Sequence, residues 1–283
     1  MCRSMIDPII DIDWNEVWKA RMQMSQESSA GRDCARIWEG KDDARRFLKT
    51  SRENADRVEK TVAGTEFTPQ SRILDIGAGP GTLAIPFARK AAHVTAVEPA
   101  SGMVSVMREQ MEAEGIRNIS IVQKRWEDVD ISTDLSPPYD VVIASFSLGM
   151  HDIRQAIEKM VLASSKYIYL YHFAGDTSWD RQWREIWQEL HCREYIPGPK
   201  SDVLYNVLYQ MGIYPNVSTF GLKHDQRYSS VDEAVEAFKP QAKAETDEQV
   251  EVLRRCLTDR LIDEDGSLVL PSSSTRVKIW WKK

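Results

Sequence analysis

Apolar positions along this chain follow two rhythms. Between residues 72 and 173, short apolar runs bounded by glycine, proline or charge read as buried strands, and longer stretches with apolar residues three or four apart read as helices. Ile73, Leu74 and Ile76 form the first run, and 93–97, 118–123, 139–145 and 166–173 supply four more. The stretches 82–91, 101–115 and 153–162 carry the helical spacing between them, with Met103, Val104, Met107 and Met111 along one side of the second. Strand and helix alternating in this way predict a parallel sheet wound with helices on both faces. The run at 139–145 is apolar throughout, as expected of a central strand.

The flanks are patterned differently. Residues 11–24 place Trp14, Val17, Trp18 and Met22 near one helix face, 25–33 reads as a loop, and 36–62 reads as a second helix through Ile37, Trp38, Ala44, Phe47, Leu48 and Ala55. Beyond 175, Trp179, Trp183 and Trp187 recur every four residues along one face of a helix. A sixth strand is expected at 216–223 and a seventh, antiparallel, at 276–281, where charge alternates with Val277, Ile279 and Trp281. Ser230 with Glu233 and Thr246 with Gln249 have capping-box spacing and open two further helices. The expected division is a helical amino-terminal extension or lid over 1–70, a core over 71–175, a cap insertion over 176–215, and over 216–283 the rest of the core sheet with two helices.

Composition narrows the function classes. The 283 residues are 42% hydrophobic and 28% charged, with a formal net charge of −6. No apolar run approaches the ~20 residues a membrane span needs, and the acidic start does not read as a secretory signal, so a cytoplasmic location is expected. The negative balance argues against a nucleic-acid substrate, because phosphate neutralisation needs a basic face. Arg45, Arg46, Lys49, Arg52 and Arg57 cluster, but acids interleave with them, as on a solvated helix face. Cys2, Cys34, Cys192 and Cys256 are scattered without a C-x-x-C pair, so neither a disulfide framework nor a metal site is expected.

The chemistry is concentrated where the first strand ends. Asp75 precedes Gly77, Gly79 and Gly81, and Glu98 stands seventeen residues past the last of these at the tip of the second strand. Backbone N–H groups of such a turn and a carboxylate at the next strand tip suit a nucleotide-like ligand. A nicotinamide fingerprint is G-x-G-x-x-G, whereas here the spacing is G-x-G-x-G and Thr82 occupies the place of the third glycine. The stretch from Ile73 through Pro99-Ala-Ser-Gly-Met103 resembles motif I and its continuation in class I S-adenosylmethionine-dependent methyltransferases.

That resemblance implies a Rossmann-like α/β sheet of seven strands, with S-adenosylmethionine as cofactor and S-adenosylhomocysteine as product. It implies that Asp75 belongs to the methionine end of the pocket, that Gly77, Ala78, Gly79, Gly81 and Pro99 bind the cofactor beside it, that Glu98 takes the ribose hydroxyls, and that Met103 packs on the adenine. Trp126, Glu127 and Ser145 complete the expected cofactor set. The chain departs from the family where Arg125-Trp126 replace Asp-Ala, and Ala144-Ser145-Phe146-Ser147 replace the Pro-Pro-aromatic turn of amino-nitrogen methyltransferases. The strand-four tip is similar instead to that of small-molecule enzymes such as the quinone-biosynthesis group. The segment 37–44 is similar to the lid that precedes motif I there.

A small, apolar or aromatic acceptor is therefore expected, with Trp38, Ser147, Tyr171, His172 and Trp179 as substrate candidates. His151, beyond the fourth strand, is the candidate base. Rival readings are a protein or RNA methyltransferase, a module that binds the cofactor without turnover, and a nicotinamide reductase with an aberrant fingerprint.

Overall fold

The computed structural model describes residues 12–28, 38–53 and 55–283. The readings at Cys2, Cys34 and Ile37 lie outside the described residues.

Apolar runs become strands where the sequence placed them. Strands β1 (Arg72–Ile76), β2 (His93–Val97), β3 (Ile119–Val122), β4 (Tyr139–Ser145) and β5 (Ser164–Phe173) run parallel, and β6 (Asn216–Lys223) and β10 (Ser273–Lys282) complete a seven-stranded sheet. Its order is β3-β2-β1-β4-β5-β10-β6, with β10 antiparallel to both of its neighbours. Alternation along each strand divides the core into two layers. Leu74, Ile76, Val142, Ala144, Ile168 and Leu170 face one way, packing with α1 (Trp14–Ser28), α6 (Ile153–Ala163) and α8 (Ser201–Gln210). Ile73, Val141, Ile143, Tyr169 and Tyr171 face the other, packing with α3 (Ala55–Ala63), α4 (Ala84–Ala88) and α5 (Ser101–Ala113). Ala44 of α2 (Lys41–Glu53) packs on Met103 and Val106 of α5.

Several boundaries moved for local reasons. The helix expected over 82–91 contracts to α4, because Pro86 has no N–H to donate and is tolerated only in a first turn. The first residues of the loop expected over 25–33 are helical instead, since α1 continues to Ser28, whose carbonyl accepts from Trp187 Nε1 at 2.9 Å. The stretch 36–62 is divided between α2 and α3.

The tryptophan helix α7 (Ser178–His191) is held by a capping box between Thr177 and Asp180. Trp183, Ile186, Trp187 and Leu190 bury themselves against α9 (Val231–Ala242) and α10 (Asp247–Thr258). A second, three-stranded sheet supports them: β7 (Gln226–Tyr228), β9 (Ser267–Leu270) and β8 (Ile262–Glu264), in the order β7-β9-β8. The packing therefore does not divide at 215. α8, expected in the cap, lies on the core sheet, while most of 226–270 packs with α7. The hairpin between β8 and β9 turns at Asp265-Gly266, both at positive φ (53° and 82°). Asp-Gly is a strong hairpin signal that the sequence carried and the strand assignment had not used.

Candidate functional site

A cavity of about 870 Å³ opens over the carboxyl ends of β1, β2, β4 and β5, where open α/β sheets bind their ligands. Its floor is the glycine turn. Gly77, at φ +69°, lies so near the strand-four tip that a Cβ would come within 2.3 Å of Ser147 Cβ. Gly79, at φ +56°, would carry a Cβ into open space, so its backbone is what a ligand can approach. Gly81 is a correction: it does not line the cavity, and a Cβ there would meet Met107 at 2.9 Å and Ile85 at 3.1 Å. It permits α5 to pack against the turn.

Glu98 ties the turn to β2. Its Oε2 accepts from Gly79 N at 2.8 Å and its Oε1 from Ala100 N at 2.9 Å. Burial raises its pKa while those two N–H groups oppose the rise. Asp75 is enclosed, and burial followed by repulsion from Glu98 pushes its pKa up to about 7. Its Oδ2 has no hydrogen-bond partner among the described residues, and neither has Thr82 Oγ1 on the same wall. Two orphaned polar atoms beside an exposed glycine backbone fit a ligand with its own donors and acceptors. The cofactor implied by the motif meets that requirement.

Among the remaining cofactor candidates, Ala78, Pro99, Met103, Glu127 and Ser145 line the cavity. Trp126 also borders it, but its indole is turned into the core and Nε1 donates to Ala156 O at 3.0 Å. The substrate candidates separate. Trp38 and Ser147 line the wall, the Ser147 hydroxyl donating to Ile76 O at 2.5 Å. His172 lines it too, whereas Tyr171 is turned to the other face of the sheet among Tyr169 and Ile143. Consecutive strand residues cannot share a face. Burial raises the Tyr171 hydroxyl to about 12. Trp179 also stands off the wall, edge-on to Phe173 at 5.4 Å and to His224 at 5.4 Å.

His151 is exposed and does not line the cavity. Helix α1 takes the space: Trp18 Nε1 donates to Met150 O at 2.9 Å and Asn15 Nδ2 to Asp152 Oδ1 at 3.1 Å, fixing the residues on either side of His151. The imidazole at the site is His172. Its Nε2 lies 2.9 Å from Pro199 O, which can only accept, so Nε2 carries the proton and the buried, unpartnered Nδ1 is a bare acceptor. Burial pushes its pKa down to about 4, so the ring is neutral near pH 7.

Residues that sequence reasoning missed come from distant segments. Met22 and Gln26 of α1, Phe47 of α2, Arg57 of α3, Phe146 and Phe173 at strand tips, and Tyr195 with Lys200 before α8 all reach the wall. Trp183 and Trp187 were visible only as a stripe. Lys200 pairs with Asp180 at 2.8 Å in a nearly enclosed contact. No group of three or more metal-ligating side chains occurs among the described residues.

Residues 73–164 match the family profile described as a methyltransferase domain. An uncharacterised protein of Haemophilus influenzae is 32% identical over 151 residues, 52% of this chain and 52% of that protein. A Methanosarcina mazei protein named "Probable ribosomal RNA small subunit methyltransferase A" is 30% identical over 122 residues, 43% of this chain and 42% of its own length. The chain thus spans about half the length of the curated relatives it matches. Among solved structures, a candidate methyltransferase from Bacillus halodurans C-125 superposes with a TM-score of 0.56 at 16% identity, covering 80% of this chain and 98% of that one, a likeness of fold. Glycine turn, strand order and profile agree, and residues 73–164 are a methyltransferase domain of the class I S-adenosylmethionine-dependent type.

Proposed function

We propose that the protein transfers the methyl group of S-adenosylmethionine to a small acceptor with an apolar or aromatic body, releasing S-adenosylhomocysteine. The carrying observation is the covering of the cavity. Met22 and Gln26 from α1, Trp38 and Phe47 beside the turn, and Trp183, Trp187 and Tyr195 from the cap wall the space above the strand tips. Such a chamber suits a molecule that enters whole more than a nucleic-acid or protein chain that must pass through. The net charge of −6 supports the same choice, against the RNA reading that the Methanosarcina relative's name suggests.

In this reading Asp75, the backbone of Gly77 to Gly79, Glu98, Pro99 and Met103 hold the cofactor. When bound, it supplies an electrophilic methyl group on a sulfonium. The chain's own part is to align the acceptor, exclude water and hold its proton. His172 Nδ1 accepts a hydrogen bond from an acceptor hydroxyl or N–H, orienting it. With a pKa of about 4 the imidazole positions more than it deprotonates. We place the reaction in the cytoplasm, in keeping with free thiols at Cys192 and Cys256. No helix among the described residues is long and apolar enough to cross a membrane.

The test is transfer of a tritiated methyl group from the labelled cofactor, offered separately to small phenolic and quinone-like acceptors, total RNA and a protein extract. Label extracted into organic solvent is the expected result. Label found only in acid-precipitable RNA or protein would overturn the small-acceptor assignment, and tight cofactor binding without transfer to any of them would leave a binding module.

Asp75 adds a pH dependence. Its folded-state pKa, about 7, lies above the ordinary 3.8, so the ligand-free protein keeps a proton that the unfolded chain loses between those values. Its contribution to stability is full below the lower value and falls as pH rises through the upper one. A cationic ligand beside the carboxyl favours the ionised form, so cofactor binding at about pH 6 releases nearly one proton and at about pH 8.5 almost none. Calorimetry in two buffers of different ionisation heat measures the release. Buffer-independent heats at the lower pH would refute it.

A further inference from the structure

Two cations near the cavity have no counter-charge among the described residues. Arg57 of α3 lies on the wall, and Arg276 of β10 meets two wall residues, Phe146 and Phe173. Both guanidinium groups approach the Phe146 ring, Arg57 Cζ at 5.7 Å and Arg276 Cζ at 4.5 Å from its centroid. Neither forms an ion pair with a described carboxylate, and the charged group acting on Arg276 is Arg57 itself. On the cap, by contrast, Arg184, Arg255 and Arg260 each hold an acid.

This arrangement is costly without a ligand. Partial burial disfavours both cations, and their like charges add to the cost, so that Arg276 is pushed down to about 10. The shared aromatic face offsets only part of it. Phe146 itself sits at φ 57°, a left-handed conformation that a bulky residue rarely adopts and that recurs at ligand sites. Charge along the sheet is also polarised. Three acids of the wall, Asp75, Glu98 and Glu127, stand at or after β1, β2 and β3, where Arg125 accompanies them. Arg57 and Arg276 gather instead around β4, β5 and β10 on the other side of the switch in strand order, where the wall carries no acid among the described residues.

We propose that Arg57 and Arg276 bind an anionic oxygen group, a carboxylate or a phosphate ester, on an acceptor whose apolar body lies against Phe146 and Phe173. The inference deepens the small-acceptor reading and rests on it. Guanidinium forks match both oxyanions in bidentate geometry, so the acceptor would be an amphipathic acid.

The probes are 1-naphthoate, 1-naphthyl phosphate and the uncharged 1-naphthamide, titrated into the protein with and without saturating S-adenosylhomocysteine. At least one acid is expected to bind roughly tenfold or more tighter than the amide, and the stronger of the two identifies the oxyanion. Arg57→Gln and Arg276→Gln, checked for unaltered melting, should each reduce that preference, and the double variant should abolish it. Equal affinity for acid and amide, no binding of any probe, or a preference that survives in the double variant would overturn the proposal. The homocysteine product is titrated in the same samples, so loss of the cofactor reading is seen separately from loss of the arginine site.

Discussion

Replacing Glu98 by alanine is expected to weaken cofactor binding by about 100-fold or more, the largest functional effect of any single change in this site. The carboxylate has two tasks. It accepts backbone N–H groups from Gly79 and Ala100, and so fixes the glycine turn on the tip of β2. Its remaining lone pairs are those that the motif assigns to the ribose hydroxyls. Each hydrogen bond to a charged group contributes about 1.5–3 kcal/mol, and two lost together exceed the ~2.7 kcal/mol that corresponds to a hundredfold change. Glu98→Gln should lose much of the same affinity, because its amide must turn a donor toward one of two donors. Calorimetric titration of S-adenosylhomocysteine, on variants whose melting matches wild type, decides the point. Affinity within about threefold of wild type in Glu98→Ala would remove the residue from the cofactor site.

Trp18→Ala should produce the largest loss of stability among these predictions, about 3–5 kcal/mol. The indole is fully buried, packs in the core beneath β4 and donates to Met150 O. It is also a neighbour of His172, with ring centroids 5.9 Å apart. Truncation leaves a cavity and an unpartnered carbonyl together. Because Trp18 joins α1 to the strand-four tip and abuts the imidazole, acceptor binding should weaken alongside stability. Cofactor affinity should hold, since the hydrogen bonds that fix Glu98 run to Gly79 and Ala100 rather than to α1. Urea denaturation of wild type, Trp18→Ala and Trp18→Phe measures the first claim. A midpoint shift worth less than about 1 kcal/mol in the alanine variant would show that α1 is not anchored there.

The periodic part of this protein was legible in the sequence. Strands β1, β2 and β4 lie inside the sheet and are buried along most of their length, so their runs are largely apolar, and the motif from Asp75 to Met103 is contiguous enough for its resemblance to the methyltransferase motif to be read directly. Thr82 and the G-x-G-x-G spacing argued against a dinucleotide site without any coordinates, though a nicotinamide reductase stayed among the rival readings. The alternation at β10 likewise betrayed an antiparallel strand with one side of each residue pair exposed to charge.

Residues assembled from afar were not legible. His151 and His172 both follow apolar strands and look equivalent in one dimension, and only the docking of Trp18 and Asn15 beside Met150 and Asp152 leaves His151 outside while Pro199 and Trp18 enclose His172. The exclusion of Tyr171 was in principle readable, since β-strand alternation forbids it the face that His172 occupies. The unpaired state of Arg57 and Arg276 was not. The sequence shows Arg57 among acids on a helix that reads as solvated, and its meeting with Arg276, more than two hundred residues later, exists only because β10 returns beside β5. Local sequence determined the elements and the cofactor turn through short-range sterics and burial. The tertiary structure decided which side chains share a cavity, because long-range packing sets the neighbours, and with them the charge and protonation, of each group.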